Sequence, residues 1–135
     1  TAENTEERPF MLHRAIFGSM ERFLGILIEH TAGAFPTWLA PVQAVIIPIA
    51  DRHLEYCEVT RGRLTRAGVR AEVYADNEPM RVKIAKAQQQ KVPYMLVVGD
   101  KEVERDTVSV RERTAGDIGE MGLDEFAARV VAERP

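Results

Sequence analysis

Val42-Gln43-Ala44-Val45-Ile46-Ile47-Pro48-Ile49 is a near-continuous apolar, β-branched run. A strand covered on only one face would alternate apolar with polar residues. This one does not, so it predicts a central strand of an α/β sheet, buried on both sides. Pro48 belongs near its end, where a missing N–H is tolerated.

The residues downstream fit that frame. Asp51 can cap a helix that runs to about Ala67, with Leu54, Cys57 and Leu64 on its apolar stripe and Gly68 closing it. His53 falls on what reads as an exposed helix start. Val69 to Tyr74 alternates as a short strand, and Ala75 to Glu78 is a loop. Pro79 suits the first turn of another helix with Met80, Ile84 and Ala87 inward. Tyr94 to Val98 is a second central strand. Lys101–Glu104 and Thr107–Glu112 read as edge strands because charge dominates one face of each. Thr114 to Gly122 reads as a glycine-bearing loop, and Leu123 to Ala132 as a final helix with Phe126, Ala127, Val130 and Val131 at helical spacing. The order predicts an α/β domain: a mixed sheet of about five strands flanked by about three helices.

Upstream, Gly33 is a plausible helix cap, and Pro36 and Pro41 flank Trp38, which is expected to pack at a domain junction. Before that, Phe10, Leu12 and Ile16 alternate with Met11, Ala15 and Phe17, predicting a strand buried on both faces. Gly18-Ser19 breaks it, and Ser19 caps an amphipathic helix carrying Met20, Phe23, Leu24, Leu27 and Ile28. Such a strand needs neighbours on both sides, which suggests a piece of something longer. The expected division is residues 1–35 and 36–135.

With 135 residues, a net charge of −3 and a pI near 5.7, the chain suits one soluble domain with little left over. A strongly basic balance is absent, yet single-stranded RNA is read largely by stacking and base edges, so RNA stays open. A single cysteine, Cys57, allows no internal disulfide and suggests a reducing compartment. No run is apolar and long enough to span a bilayer, and Thr1 to Arg8 does not look like a signal peptide; the cytoplasm is the expected location.

Negative findings narrow the chemistry. There is no Gly-rich phosphate loop, no Gly-x-Ser-x-Gly, and no Cys/His pair at metal-ligand spacing. The part after residue 42 reads as a binding module. Asn77 in a loop, Glu102 on a predicted hairpin and Arg111 on a strand are its candidate readers of base edges. Equally, Asn77 can be a turn residue, and Glu102 and Arg111 a cross-strand ion pair of little worth. In the first segment, Arg22 on the first helical turn has the planar fork to meet an anionic ligand. His13 reads equally as a buried core histidine.

His13-Arg14-Ala15-Ile16-Phe17-Gly18-Ser19-Met20-Glu21-Arg22-Phe23 resembles class II motif 3 of threonyl-tRNA synthetases. Phe35-Pro36-Thr37-Trp38-Leu39-Ala40-Pro41 resembles that family's junction into its anticodon-binding domain, and Val92 to Glu104 that domain's signature. The resemblance runs from about Arg8 to the C-terminus. It implies that residues 1–35 are the end of a class II catalytic domain, a strand-helix remnant, and that residues 36–135 are the anticodon-binding domain. It implies His13 as a zinc ligand in the intact enzyme, Arg22 as the ATP-binding arginine and Ser19 as part of the adenylate pocket. It further implies Asn77, Glu102 and Arg111 as anticodon readers for tRNA(Thr). Asn77-Glu78-Pro79 departs from the family's usual Asn-Glu-Lys, so one backbone contact to tRNA is expected to be missing.

The intact enzyme would use zinc, ATP and Mg²⁺ to ligate threonine to its tRNA, as a homodimer. This chain alone is expected to hold no cofactor and perform no catalysis, because one histidine cannot hold zinc. The partner expected is the anticodon stem-loop, with no membrane and no DNA. The alternative function is a non-catalytic interaction or regulatory module built on the same domain. A small-molecule-binding α/β domain ranks behind both.

Overall fold

The computed structural model describes residues 2–135; Thr1, where the expected first segment begins, lies outside the described residues. The helices are α1 (Met20–Thr31), α2 (Leu54–Arg66), α3 (Met80–Gln89), α4 (Asp100–Arg105) and α5 (Leu123–Ala132). The strands are β1 (Ala44–Pro48), β2 (Ala71–Val73), β3 (Tyr94–Val98), β4 (Thr107–Glu112) and β5 (Gly116–Gly122), in the spatial order β2-β1-β3-β4-β5. β2, β1 and β3 are parallel, and β4 and β5 continue the sheet antiparallel. The mixed five-stranded α/β sheet is the expected fold.

β1 is buried along its whole length, as its composition requires. Its side chains alternate between two cores. Ala44 and Ile46 join Leu96, Val98, Val108, Val110, Phe126 and Val130 beneath α2 and α5. Val45 and Ile47 join Tyr74, Ala87, Val92 and Met95 beneath α3. The Tyr94 ring meets Phe126 edge-on, centroids 5.3 Å apart, an arrangement the ring quadrupoles favour. Cys57 sits in the first core, and burial pushes its thiol up to about 12.

One predicted strand is a helix, and one predicted loop is a strand. Lys101–Glu104 is not an edge strand; it lies in α4. The Lys-Glu-Val-Glu alternation mimics a strand, but Gly99-Asp100 starts a helix with acidic residues in its first turn, and Glu102 accepts the Gly99 N–H at 2.9 Å. Conversely, Gly116–Gly122 is not a loop but β5. Its glycines hide the pattern, and its strand character comes from backbone pairing with β4. The register skips Ile118 between Val110 and Arg111, a bulge that turns Ile118 into the core.

The largest departure lies upstream. Residues 5–15 form no strand, and Phe10 and Leu12 are 100% and 98% exposed. Among the described residues no strand pairs with them, so the pattern goes unused. α1 forms as expected, with the Ser19 hydroxyl accepting the Arg22 N–H at 3.3 Å, yet it contains no buried residue. It ends on Ala32 in the left-handed conformation rather than on Gly33 itself. Trp38 is half exposed rather than packed, and its carbonyl accepts from Arg70. The connector is fastened to the sheet by polar groups. Gln43, fully buried, donates to the Thr37 carbonyl and accepts the Arg70 N–H, each at 2.9 Å. Arg113 donates to the Phe35 carbonyl at 3.0 Å.

Candidate nucleic-acid interface

The parallel strands end together, and the loops leaving those ends carry two of the expected readers. Asn77 stands exposed in the loop between β2 and α3. That loop is tied down by Lys83, a buried lysine whose ammonium donates to the Tyr74 carbonyl at 2.8 Å, and by Lys86, which pairs with Asp76 at 3.2 Å. Glu102 sits half-buried on the first turn of α4, just past β3. One carboxylate oxygen accepts the Gly99 N–H; the other makes no hydrogen bond among the described residues and is available to an amino or imino donor. Gly99 is needed there: a Cβ would come within 2.8 Å of the Ile49 side chain and 3.1 Å of the Glu102 carboxylate.

Arg111 lies elsewhere. It pairs in register with Met95, the second residue of β3, and with Asp117, the second residue of β5. That places it roughly 10 Å from the strand ends that carry Glu102, at about 3.3 Å per residue. Asn77 and Glu102 thus share an end of the sheet, and Arg111 does not. Nor do Glu102 and Arg111 form a cross-strand pair, because Glu102 is helical. Val108 and Val110 point into the core under α2 and α5, so the alternation turns Arg111 and Ser109 to the opposite face of the sheet.

α4 is short, and side chains of α2 and of the turn just before it hold it at both ends. At its start, Asp100 takes a bidentate pair from Arg52 (2.9 and 2.5 Å) and a contact from His53 Nε2 at 2.9 Å. Hydrogen bonds from Arg52 and then His53 hold the Asp100 carboxyl well below the usual carboxylate range. At its end, Asp106 adopts the left-handed conformation and is bound by Arg63 at 2.9 Å and the Tyr56 hydroxyl at 3.1 Å. Burial, and then the hydrogen bond to Asp106, push the Tyr56 phenol up to about 12. His53 corrects the sequence reading: it is buried, not exposed. Nothing in its local pattern signals this, because its partner lies 47 residues away.

The first segment supplies no assembled site. His13 is exposed in the irregular stretch, and no three His, Cys, Asp or Glu residues come together as a metal would need among the described residues. A catalytic zinc requires three protein ligands, so these residues do not fit one. Ser19 caps α1 and donates to Glu21 at 3.0 Å. The Arg22 guanidinium is exposed on the first turn and makes no hydrogen bond or ion pair among the described residues.

The sheet region corresponds to a known family. Residues 43–133 match the family model described as "Anticodon binding domain". The threonine–tRNA ligase of Clostridium acetobutylicum is 51% identical over 132 residues, covering 98% of this chain and 21% of that protein. The threonine–tRNA ligase of Clostridium novyi is 53% identical over the same length and shares. The chain thus spans about a fifth of the length of the curated relatives it matches. Among solved structures, the RNA binding domain of threonyl-tRNA synthetase from Cryptosporidium parvum Iowa II superposes with a TM-score of 0.79 at 30% identity, covering 87% of this chain and 30% of that one.

Proposed function

The chain belongs to the anticodon-binding-domain family, and from that premise we propose that it recognises the anticodon loop of a threonine tRNA, as the C-terminal part of a threonine–tRNA ligase. The observation that carries this is the 51% identity to such a ligase across 98% of the chain. It spans the motif 3-like stretch as well as the sheet. The interaction-module reading is not favoured, because these relatives are ligases.

Asn77, Glu102 and Arg111 are the base readers. Asn77 offers both donor and acceptor, Glu102 an acceptor, and Arg111 a forked donor. Their separation suits the task, since RNA loops are read as splayed, unstacked bases rather than at one point. Exposed Arg81 and Lys101 flank Asn77 and Glu102 in sequence and can meet phosphates. Residues 1–35 are the end of a class II catalytic domain, and residues 36–135 are the anticodon-binding domain. In the intact ligase Arg22 meets ATP with its Mg²⁺, Ser19 lines the adenylate pocket, and the partner is a second subunit of the same kind. His13 alone cannot hold zinc, and the 135-residue chain is inactive in threonine activation. The cytoplasm is its place; among the described residues no helix is long and apolar enough to cross a membrane.

The test is a titration of the chain with the anticodon stem-loop of threonine tRNA and with an anticodon-swapped stem-loop. Tighter binding of the first, lost on Glu102→Gln, is expected. Equal affinity for both would count against base reading by these residues. Stoichiometric zinc in the purified chain would overturn the statement about His13.

A further inference from the structure

We propose that His53 is a positioning residue for base reading: through Asp100 it sets where α4 presents the Glu102 carboxylate. The proposal rests on the reading of Glu102 given above. α4 has six residues, under two turns, and a helix that short does not hold itself in water. What surrounds it decides where it sits.

Three contacts converge on its first turn. His53 is 3% exposed, so its ring has little freedom. Its Nδ1 accepts the Ala50 N–H at 3.2 Å, which leaves the ring proton on Nε2, and Nε2 donates to Asp100 Oδ1 at 2.9 Å. Arg52 grips the same carboxylate, but from a side chain 66% exposed, so the imidazole is the fixed member of the pair. Asp100 is the first residue of α4, and Glu102, two residues on, is anchored to the Gly99 N–H. The Ile49 N–H donates to the Val98 carbonyl at 2.9 Å, joining the ends of β1 and β3 beneath this corner. A shift of Asp100 therefore carries Glu102 with it.

Asn and Gln separate the two bonds of the ring. His53→Asn keeps an acceptor near the Nδ1 position but is too short to reach Asp100. His53→Gln places an amide N–H near the Nε2 position and keeps the Asp100 link. The measurement is the affinity ratio between matched and anticodon-swapped stem-loops for the 135-residue chain, with thermal midpoints recorded alongside.

We expect the ratio to fall about fivefold in His53→Asn, the scale of one lost hydrogen bond. It should stay within about twofold of the parent in His53→Gln. Asp100→Ala, which removes the acceptor at an exposed site, should reproduce the loss with only a small drop in thermal midpoint. An unchanged ratio in His53→Asn or Asp100→Ala, while Glu102→Gln lowers it, overturns this inference and leaves the reading of Glu102 standing. A loss in both His53 variants that follows a lowered thermal midpoint reduces His53 to a structural role and also overturns it. No loss in Glu102→Gln, or no discrimination by the parent chain, overturns both.

Discussion

Phe10-Met11-Leu12 and Val45-Ile46-Ile47 are similarly apolar triplets, and the structure treats them in opposite ways. The first is 86–100% exposed; the second is completely buried. β1 has parallel partners on both sides and helices above and below. The stretch around Phe10 has neither. α1 makes the same point at the level of a helix: it has a cap, a left-handed C-terminus and an apolar face with Phe17 stacked on Phe23 at 4.6 Å, but no buried residue. Local signals suffice to form a helix; burial needs a second surface. An exposed apolar face of this kind is the mark of a surface that normally has a partner, which accords with the proposal that residues 1–35 belong to a larger catalytic domain.

The contrast is open to direct attack. Phe126→Ala removes a fully buried ring from the main core and should cost about 3–5 kcal/mol, whereas Phe10→Ala should change stability by less than about 0.5 kcal/mol. Urea unfolding of both variants checks this, and comparable losses would mean that the upstream stretch is packed in solution.

Gln43→Leu comes next. It leaves the part-buried Thr37 carbonyl and Arg70 N–H without their partner, and should cost about 1–2 kcal/mol, since water satisfies such groups only in part. A neutral result would show that the connector is not fastened at this seam.

Removing residues 1–31 should move the thermal midpoint by no more than about 2 °C while reducing self-association seen by size-exclusion chromatography. A fall of about 5 °C or more would mean that α1 contributes to the sheet domain's stability.

The smallest effect expected is that of pH at Asp100. Its carboxyl lies below the ordinary 3.8 in the folded state. The ion pair therefore adds stability above about pH 4, and the contribution is lost as pH falls through the folded value. The stability gap between the parent chain and Asp100→Asn should shrink on acidification below about pH 4. A gap that widens instead would show that the carboxyl is not held by Arg52 and His53. The contribution is modest because Asp100 is exposed to solvent screening.

Much of this was legible beforehand. The two central strands, α2, α3 and α5 follow from apolar period, caps and prolines, and their edges agree with the structure within a few residues. The errors share a cause. Lys-Glu-Val-Glu carries a strand period within a helix because four residues are too few to separate the two periods. Gly-Asp-Ile-Gly-Glu-Met-Gly carries none within a strand, because β5 is defined by backbone pairing to β4. Candidate readers were nameable as residue types, but not their arrangement. That Arg111 stands apart from Asn77 and Glu102 depends on the antiparallel register of β4 against β3.

The sequence by itself determined which segments are apolar enough to form a two-sided core, where helices start, and which family the chain resembles. These are properties of neighbouring residues, set by side-chain chemistry at fixed spacing. The tertiary structure alone decided that Phe10 to Phe17 stays outside the sheet, that His53 is buried against Asp100, and that α4 rather than a hairpin carries Glu102. Each of these depends on surfaces and hydrogen-bond partners far away in the chain, and no local pattern encodes whether such a partner arrives.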